Sequence, residues 1–519
     1  MILVGRRIAL AIVVAGALLL FARPLLRGEV FSFRDHADYF QPLRWFTAQE
    51  LSHGRLPLWN PYSASGEPWL ANPQTAVFYP PAWLFLILPF PAAYVLFLCL
   101  HVMLLGVGGF LLFSRFAAPG AALAAALALM FCGPALSLLD VGNNLTAFAW
   151  LPLVLWCALA QVDGDLCALA MAMSFLAGEP FFAACGALMF ALIRPRGILR
   201  VALATVALSA IQLLPFLAMV RTSDRAGGGI VAADILRDSV SWRDWMFLAL
   251  PPSIGSAPID QRLSEQFIPI IYLGLLTSIL AVVGLVLGWR GPVVRWTLAA
   301  IAVCAAVASG GHLRPMAAML AHLPLTIFRY PARLVPLVVV GLCLLAAIGC
   351  DRLVPARWHL AIAVVVALDV LVHSSTLLAS APFDVHPVPH ARGMGRDAKM
   401  VRMGMDRSTL MQRGAWVAGY LNLFDRRFDA WTAAPLSSAE YSKWYERAVT
   451  GPRPDLLDAM SVGYLLTPRS VNSLPVVGQA GGVRVYRNRG GWPMAYFRAA
   501  TNGRPVAAAS SLAFTTSAA

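Results

Sequence analysis

Apolar runs of about 20 residues recur along this chain, and a run of that length crosses the hydrocarbon core of a bilayer as one helix. Eleven are read as spans, at roughly 7–25, 91–114, 119–138, 145–160, 166–177, 180–193, 198–219, 267–289, 293–309, 333–349 and 358–377. A shorter apolar piece at 79–89 is cut off from the second span by Pro89 and Pro91. The chain is 59% hydrophobic and 13% charged, against about 25% charged in soluble proteins. The expected fold is a polytopic α-helical membrane protein of about 11 spans, with a small C-terminal extracytoplasmic α/β domain. Residues 1–378 form the membrane domain, with a first outer loop at 27–78, and 379–519 form the second domain, its Ala- and Ser-rich end disordered.

Arginines in short loops orient the spans. Arg6 and Arg7, Arg115, Arg194, Arg196 and Arg200, Arg290 and Arg295, and Arg352 and Arg357 fall on one side if the N-terminus is cytoplasmic. This requires 166–193 to be two short spans with Gly178-Glu179-Pro180 as an outward tip. The first run, Ile8–Phe21, follows two arginines as in a signal peptide. It lacks a small-residue cleavage site and is expected to remain as a signal anchor.

The formal net charge of +14 does not point to nucleic acid. Lys399 and Lys443 are the only lysines, and no basic stripe is present. The eight cysteines lie in or beside apolar runs without metal-ligand spacing, so they read as small buried hydrophobes. The outward histidines His36, His53, His312 and His322 have no HExxH or paired spacing. No cofactor is expected, and a divalent metal is not indicated.

The first outer loop carries the strongest chemical signal. Asp35 and Asp38 lie just beyond the first span, and three residues apart they share a face if 35–50 is an interfacial helix. One would act as general base and the other would tune it or position the acceptor. Phe40, Trp45 and Phe46 would anchor the other flank at the headgroup layer. Trp59, Asn60, Asn72, Gln74 and Tyr79 then line a polar and aromatic loop suited to substrate contact. Arg329 and Arg333 lie on the outer side, against the usual charge bias, and present planar forks matched to phosphate oxygens. Glu179 is a carboxylate at a broken hairpin, a functional candidate at membrane depth. Asp140, Asn143 and Asn144 read as an ordinary polar turn.

These segments carry a family resemblance. RDHADYFQP with Asp35, Tyr39 and Pro42, GRLPLWNPYSASGEPWLANPQTAVFYPP (54–81), AGEPF (177–181), IYLGLL (271–276), FRYPARLVPL (328–337), VGYLLTP (462–468) and VYRNRGGWPMAYF (485–497) resemble the YfhO-like bacterial membrane proteins of the wider GT-C glycosyltransferase superfamily. The resemblance covers most of the chain, and its most specific part is 54–81. It implies a transferase of the hexosyltransferase class, using a polyprenyl-phosphate-linked sugar on the outer face of the bacterial cytoplasmic membrane. The acceptor would be an envelope glycopolymer or glycolipid. The family's outer-loop acid falls on Asp35, whereas the position of Asp38 is not reliably acidic in the pattern. The chain departs from the pattern in being shorter than many relatives and in having Glu179 where they often have His.

Two other function classes compete. A transporter or flippase of lipid-linked sugar predicts ionisable residues deep in the spans and two related halves. Asp369 is the clearest intramembrane charge, and no repeat is visible. A non-catalytic envelope-assembly scaffold predicts no need for Asp35.

Overall fold

A computed structural model of the chain describes residues 5–32, 35–64, 66–162, 164–223, 236–251, 266–313 and 329–383, and parts of 399–508 that include 454–467, 470–480 and 483–490. Arg34, His322 and the end expected to be disordered, 509–519, lie outside the described residues.

The chain is a multi-pass membrane protein. Seven of its described helices are long and apolar enough to cross a membrane: Arg6–Arg27, Phe90–Phe113, Pro119–Asp140, Gly142–Leu159, Ile198–Thr222, Pro331–Leu353 and Ala356–Leu378. Four shorter apolar helices follow the remaining runs, at Gly164–Leu176, Pro180–Ile193, Leu275–Gly288 and Pro292–Ala308. The first helix ends at Gly28, whose left-handed backbone (φ +64°) lets its N–H close on the last turn. Strand β1 (Glu29–Phe31) follows and pairs antiparallel with β2 (Ser380–Pro382). That ribbon ties the start of the loop after the first helix to the segment after the helix Ala356–Leu378.

Three runs differ from the expected helices, the fourth being split into Gly142–Phe148 and Leu151–Leu159. The third breaks at Cys132, whose backbone is extended (ψ 155°), into Pro119–Phe131 and Gly133–Asp140. The eighth is helical only from Leu275, and the non-helical stretch 266–274 bonds to that break. Non-helical backbone at membrane depth needs partners within the protein, and it has them. Gly133 donates its N–H to Tyr272 O at 2.8 Å, and Ser137 bonds both backbone groups of Ile270 at 3.3 Å. A Cβ on Gly133 would lie 2.4 Å from the Ile270 side chain, so only glycine allows this approach.

Close helix packing has the same basis. A Cβ on Gly284 would lie 1.9 Å from Leu345 O, and one on Gly349 would lie 2.0 Å from Leu280 O. The helices Leu275–Gly288 and Val335–Leu353 therefore touch backbone to backbone, as small residues permit in membranes.

The contacts divide the chain into two compact units. One comprises Met1–Leu56, Leu70–Arg221 and Gly228–Phe383, and the other Pro57–Trp69, Thr222–Gly227 and Asp384–Ala519. Within the second, β3 (Lys399–Arg402), β4 (Val462–Thr467), β5 (Val476–Ala480) and β6 (Val483–Arg487) form a sheet of order β3-β4-β6-β5, with β3 and β4 parallel. A separate pair joins β7 (Tyr496–Arg498) to β8 (Pro505–Ala508). The short helix Pro454–Ala459 leads into β4, and Leu457, Met460, Val462, Leu465, Val471 and Tyr486 form a core. Asn488 holds this unit together by donating to Asp458 Oδ1 at 2.8 Å and Val462 O at 2.9 Å.

Candidate active site

The loop expected on the outer side does not begin with an α-helix. His36–Phe40 forms one π-helical turn, and the α-helix Gln41–Ser52 starts only after it. The i→i+5 bond from Gln41 N–H to His36 O widens the spiral. Asp35 and Asp38 are therefore unequal rather than alike on one face: Asp35 is half-buried and Asp38 is 6% exposed. The aromatic residues expected at the headgroup layer are packed inside. Phe40 and Phe46 are buried, and Trp45 meets Phe90 and Phe383 edge-on or tilted.

Asp35 is fixed through its backbone, which donates N–H to Asp140 Oδ1 at 3.1 Å. Asp140 is thus the acceptor at the head of the π-turn, in the manner of a helix cap. The expected ordinary polar turn is in fact buried: Asp140, Asn143 and Asn144 are 5%, 2% and 2% exposed. Asn143 Nδ2 donates to Glu179 Oε2 at 3.0 Å and to Gly178 O at 3.3 Å. Glu179 caps the helix Pro180–Ile193 by accepting from Phe181 N–H at 3.3 Å, and it accepts from Arg333 Nη1 at 3.2 Å. Gly178, at φ +112°, has no Cβ to strike Pro73 and Gln74, so the hairpin tip packs onto the first loop. One turn, 140–143, therefore links the loop acid to Glu179 and through it to an arginine.

Arg333 lies over the rings of Phe267 and Tyr330, at 5.2 and 5.6 Å, and those rings stack at 5.3 Å. Tyr330 takes a left-handed backbone (φ +66°), a conformation unusual for a bulky residue and typical of constrained sites. Arg333 Nε is buried and has no hydrogen-bond partner among the described residues. Arg329 is half-buried and has no hydrogen bond or ion pair among the described residues. The two arginines expected to act alike are thus distinct, since only Arg333 is neutralised by a carboxylate.

The substrate-loop candidates divide similarly. Tyr79 is fully buried, its hydroxyl donating to His101 Nε2 at 2.5 Å and accepting from Trp150 Nε1 at 2.9 Å. His101 Nδ1 donates to Phe97 O at 2.6 Å, which leaves Nε2 as the acceptor. Fully buried between these two partners, the hydroxyl is a structural bridge. Asn72 is 3% exposed and its side chain caps the turn Pro73–Thr75. Gln74 Oε1 accepts from the Tyr39 hydroxyl at 2.5 Å. Asn60 is fully buried and bonds Ser63, Glu67 and the Tyr62 N–H within its own loop. Trp59 is 54% exposed and covers Gly66, where a Cβ would lie 2.3 Å from the indole. Of this set, the solvent-accessible groups are Trp59 and, in part, Gln74.

His36 is buried and shares a 2.7 Å hydrogen bond with the Tyr94 hydroxyl. Burial lowers its pKa to about 3, so it is neutral beside the two acids. Among the described residues no three His, Cys, Asp or Glu side chains converge to hold a metal ion.

No protein-family model matches the sequence, and no curated protein is significantly similar to it. Solved structures are similar in fold. The cryo-EM structure of the arabinofuranosyltransferase AftD from Mycobacteria matches with a TM-score of 0.58 and 16% identity, over 93% of this chain and 40% of that one. A mutant form of the same enzyme matches with a TM-score of 0.54 and 15% identity, over 94% and 42%. ArnT from Cupriavidus metallidurans, bound to undecaprenyl phosphate, is more distant, with a TM-score of 0.43 and 14% identity over 93% and 99%. The chain spans about two fifths of the length of the arabinofuranosyltransferase. Its fold is similar to that of the covered part of the arabinofuranosyltransferase AftD.

Proposed function

We propose that the chain is a membrane glycosyltransferase that moves a sugar from a polyprenyl-phosphate-linked donor to a cell-envelope acceptor. The reaction takes place on the outer face of the bacterial cytoplasmic membrane, with the N-terminus cytoplasmic. Asp35 takes the proton of an acceptor hydroxyl. The resulting oxygen attacks the anomeric carbon from the face opposite the lipid, the bond from that carbon to the phosphate oxygen breaks, and the lipid phosphate leaves. Arg329 meets the developing phosphate charge, and Arg333, held by Glu179, shapes the same region. The YfhO-like resemblance supports this reading and adds no residue beyond those named.

The observation that carries the proposal is the link from Asp35 through Asp140 and Asn143 to Glu179 and Arg333. A loop acid and an arginine far apart in sequence are fastened to one buried turn, as a site that must hold base and leaving group in register requires. A fold shared with an arabinofuranosyltransferase extends the sugar panel to pentoses.

The test is transfer in proteoliposomes, with polyprenyl-phosphate hexoses and pentoses and with wild type against Asp35→Asn. Transfer by wild type alone supports the reading. Movement of the lipid-linked sugar across the bilayer without transfer would favour a flippase. Neither transfer nor movement of the lipid-linked sugar by either protein, with every donor, would favour a scaffold.

A further inference from the structure

Gln74 is fastened at three of its four polar groups. Its backbone N–H donates to Asn72 Oδ1 at 3.0 Å, and its carbonyl accepts from Arg44 Nη1 at 2.7 Å. Asn72 and Arg44 are each 3% exposed, so both partners are fixed inside the protein. The side-chain oxygen Oε1 accepts from the Tyr39 hydroxyl at 2.5 Å. That length fits O–H···O, whereas an amide N–H stands farther from its acceptor. The hydroxyl is therefore the donor, and the amide nitrogen Nε2 is the free end. Nε2 has no hydrogen-bond partner among the described residues. Gln74 is half-buried between the buried Pro73 and Thr75. With its N–H and carbonyl both taken by buried groups, the exposure it keeps falls to the side chain.

Its surroundings put that amide beside the groups assigned to the reaction. Tyr39 lies four residues after Asp35 on the same π-turn. Asp35, Ala37 and Tyr39 keep some exposure there, whereas His36, Asp38 and Phe40 are buried. The loop acid and the residue that holds Gln74 thus share the open side of the turn. On its other flank Gln74 meets the hairpin tip, where a Cβ on Gly178 would lie 3.0 Å from the Gln74 Cα. Glu179, next in the chain, accepts from Arg333. A phosphate calls for a cation, and the arginines supply it. A neutral carboxamide with two unused N–H donors suits an uncharged hydroxyl.

We propose that Gln74 determines acceptor specificity, its Nε2 donating to a saccharide hydroxyl beside the one that gives its proton to Asp35. Tyr39 is the positioning residue that turns Nε2 outward. The role of Asp35 rests on the transferase reading, and the sugar contact itself does not. A side chain already held at Oε1 loses little freedom on binding. A site built to hydrogen-bond a hydroxyl also rejects ligands that lack it.

Saturation-transfer NMR of the full chain in lipid nanodiscs tests it, with methyl α-glucopyranoside and methyl α-arabinofuranoside as probes. Gln74→Glu keeps the shape and Oε1 and removes both N–H donors. Gln74→Met, uncharged and of similar length, serves if the added carboxylate disturbs folding. Wild type should contact at least one glycoside. The variants should weaken its Kd by about three- to tenfold, the scale of one neutral hydrogen bond, with retention of polyprenyl phosphate and the melting temperature unchanged. No contact by wild type, or equal contact by the folded variants, would overturn the assignment. So would loss of polyprenyl phosphate with glycoside contact intact, which would move Gln74 to the donor. Transfer in proteoliposomes separates this from the transferase reading. Transfer with an unchanged acceptor KM in the variants would sink the role of Gln74 and leave the reading. Glycoside contact that the variants weaken, in a chain that transfers nothing, would sink the reading and leave the sugar site.

Discussion

Arg333 and Glu179 form an ion pair, Nη1 to Oε1 at 3.2 Å, with side chains only 14% and 7% exposed. The pair joins the tip of the hairpin 164–193 to the mouth of the helix Val335–Leu353. Glu179→Ala would leave the guanidinium buried without its counter-charge. Removing one partner of a buried pair costs about 3–5 kcal/mol, and residual exposure places the expected loss near the lower end. Thermal melting should show a clear fall for Glu179→Ala and a partial recovery in the double variant Glu179→Ala, Arg333→Leu. Additive losses in the double variant would show that the pair contributes nothing as a pair.

Arg329 should behave differently. With no partner among the described residues, Arg329→Ala should leave the melting temperature unchanged and raise the apparent donor constant on the order of tenfold. Arg329→Lys should fall between, because charge is kept and the fork is lost. Donor titration of the three proteins decides this. A melting change without a donor effect would reassign Arg329 to packing.

The Tyr79 hydroxyl bridges a histidine and a tryptophan, so its removal is a stability experiment. Tyr79→Phe leaves His101 Nε2 and Trp150 Nε1 without that partner, at about 1–3 kcal/mol for a buried group left unsatisfied. The expected result is a lower melting temperature with the donor constant unchanged. A changed donor constant at unchanged stability would restore Tyr79 to the substrate site.

His36 sets an acid limit. Its pKa falls from an ordinary 6.5 to about 3 on burial, so below pH 6.5 the unfolded chain binds a proton that the folded chain refuses. The stability due to neutral His36 is complete above pH 6.5 and is lost as pH falls from there towards 3. At pH 5 the loss is about 2 kcal/mol, at 1.36 kcal/mol per unit. His36→Gln should flatten this limb of a melting-versus-pH curve. An unchanged slope between pH 6.5 and 5 would remove His36 as its cause.

The helices were legible from apolar length, and the helix break lies at Gly178-Glu179-Pro180, where the sequence placed it. What the sequence hid was burial of polar groups. Asp140, Asn143 and Asn144 look like a solvated turn, since nothing local records that the first loop and the hairpin tip pack over them. Their i, i+3, i+4 spacing was the available signal. Asp38 was misplaced because the π-turn that turns it inward has no sequence signature. The non-helical stretch 266–274 read as helix because its apolar residues fit a span, and its partners Gly133 and Ser137 lie more than a hundred residues away.

Asp35 and Asp140 allow the sharpest separation of chemistry from scaffold. Asp35→Asn keeps the backbone N–H that Asp140 accepts, and the side chains have the same shape. Stability should move by about 0.5 kcal/mol or less, as for most half-exposed positions, while transfer falls by about 10²–10⁴-fold, the range for a lost general base. Asp140→Ala removes the acceptor and keeps the base. It should cost about 1 kcal/mol, as loss of a helix cap does, and lower kcat more than it raises KM, because the base is displaced and the donor contacts remain. Single-turnover transfer and melting on both variants measure these quantities. If Asp35→Asn turns over like wild type while Asp140→Ala is inactive, the carboxylate that does the chemistry is Asp140, and the π-turn serves only to cover it.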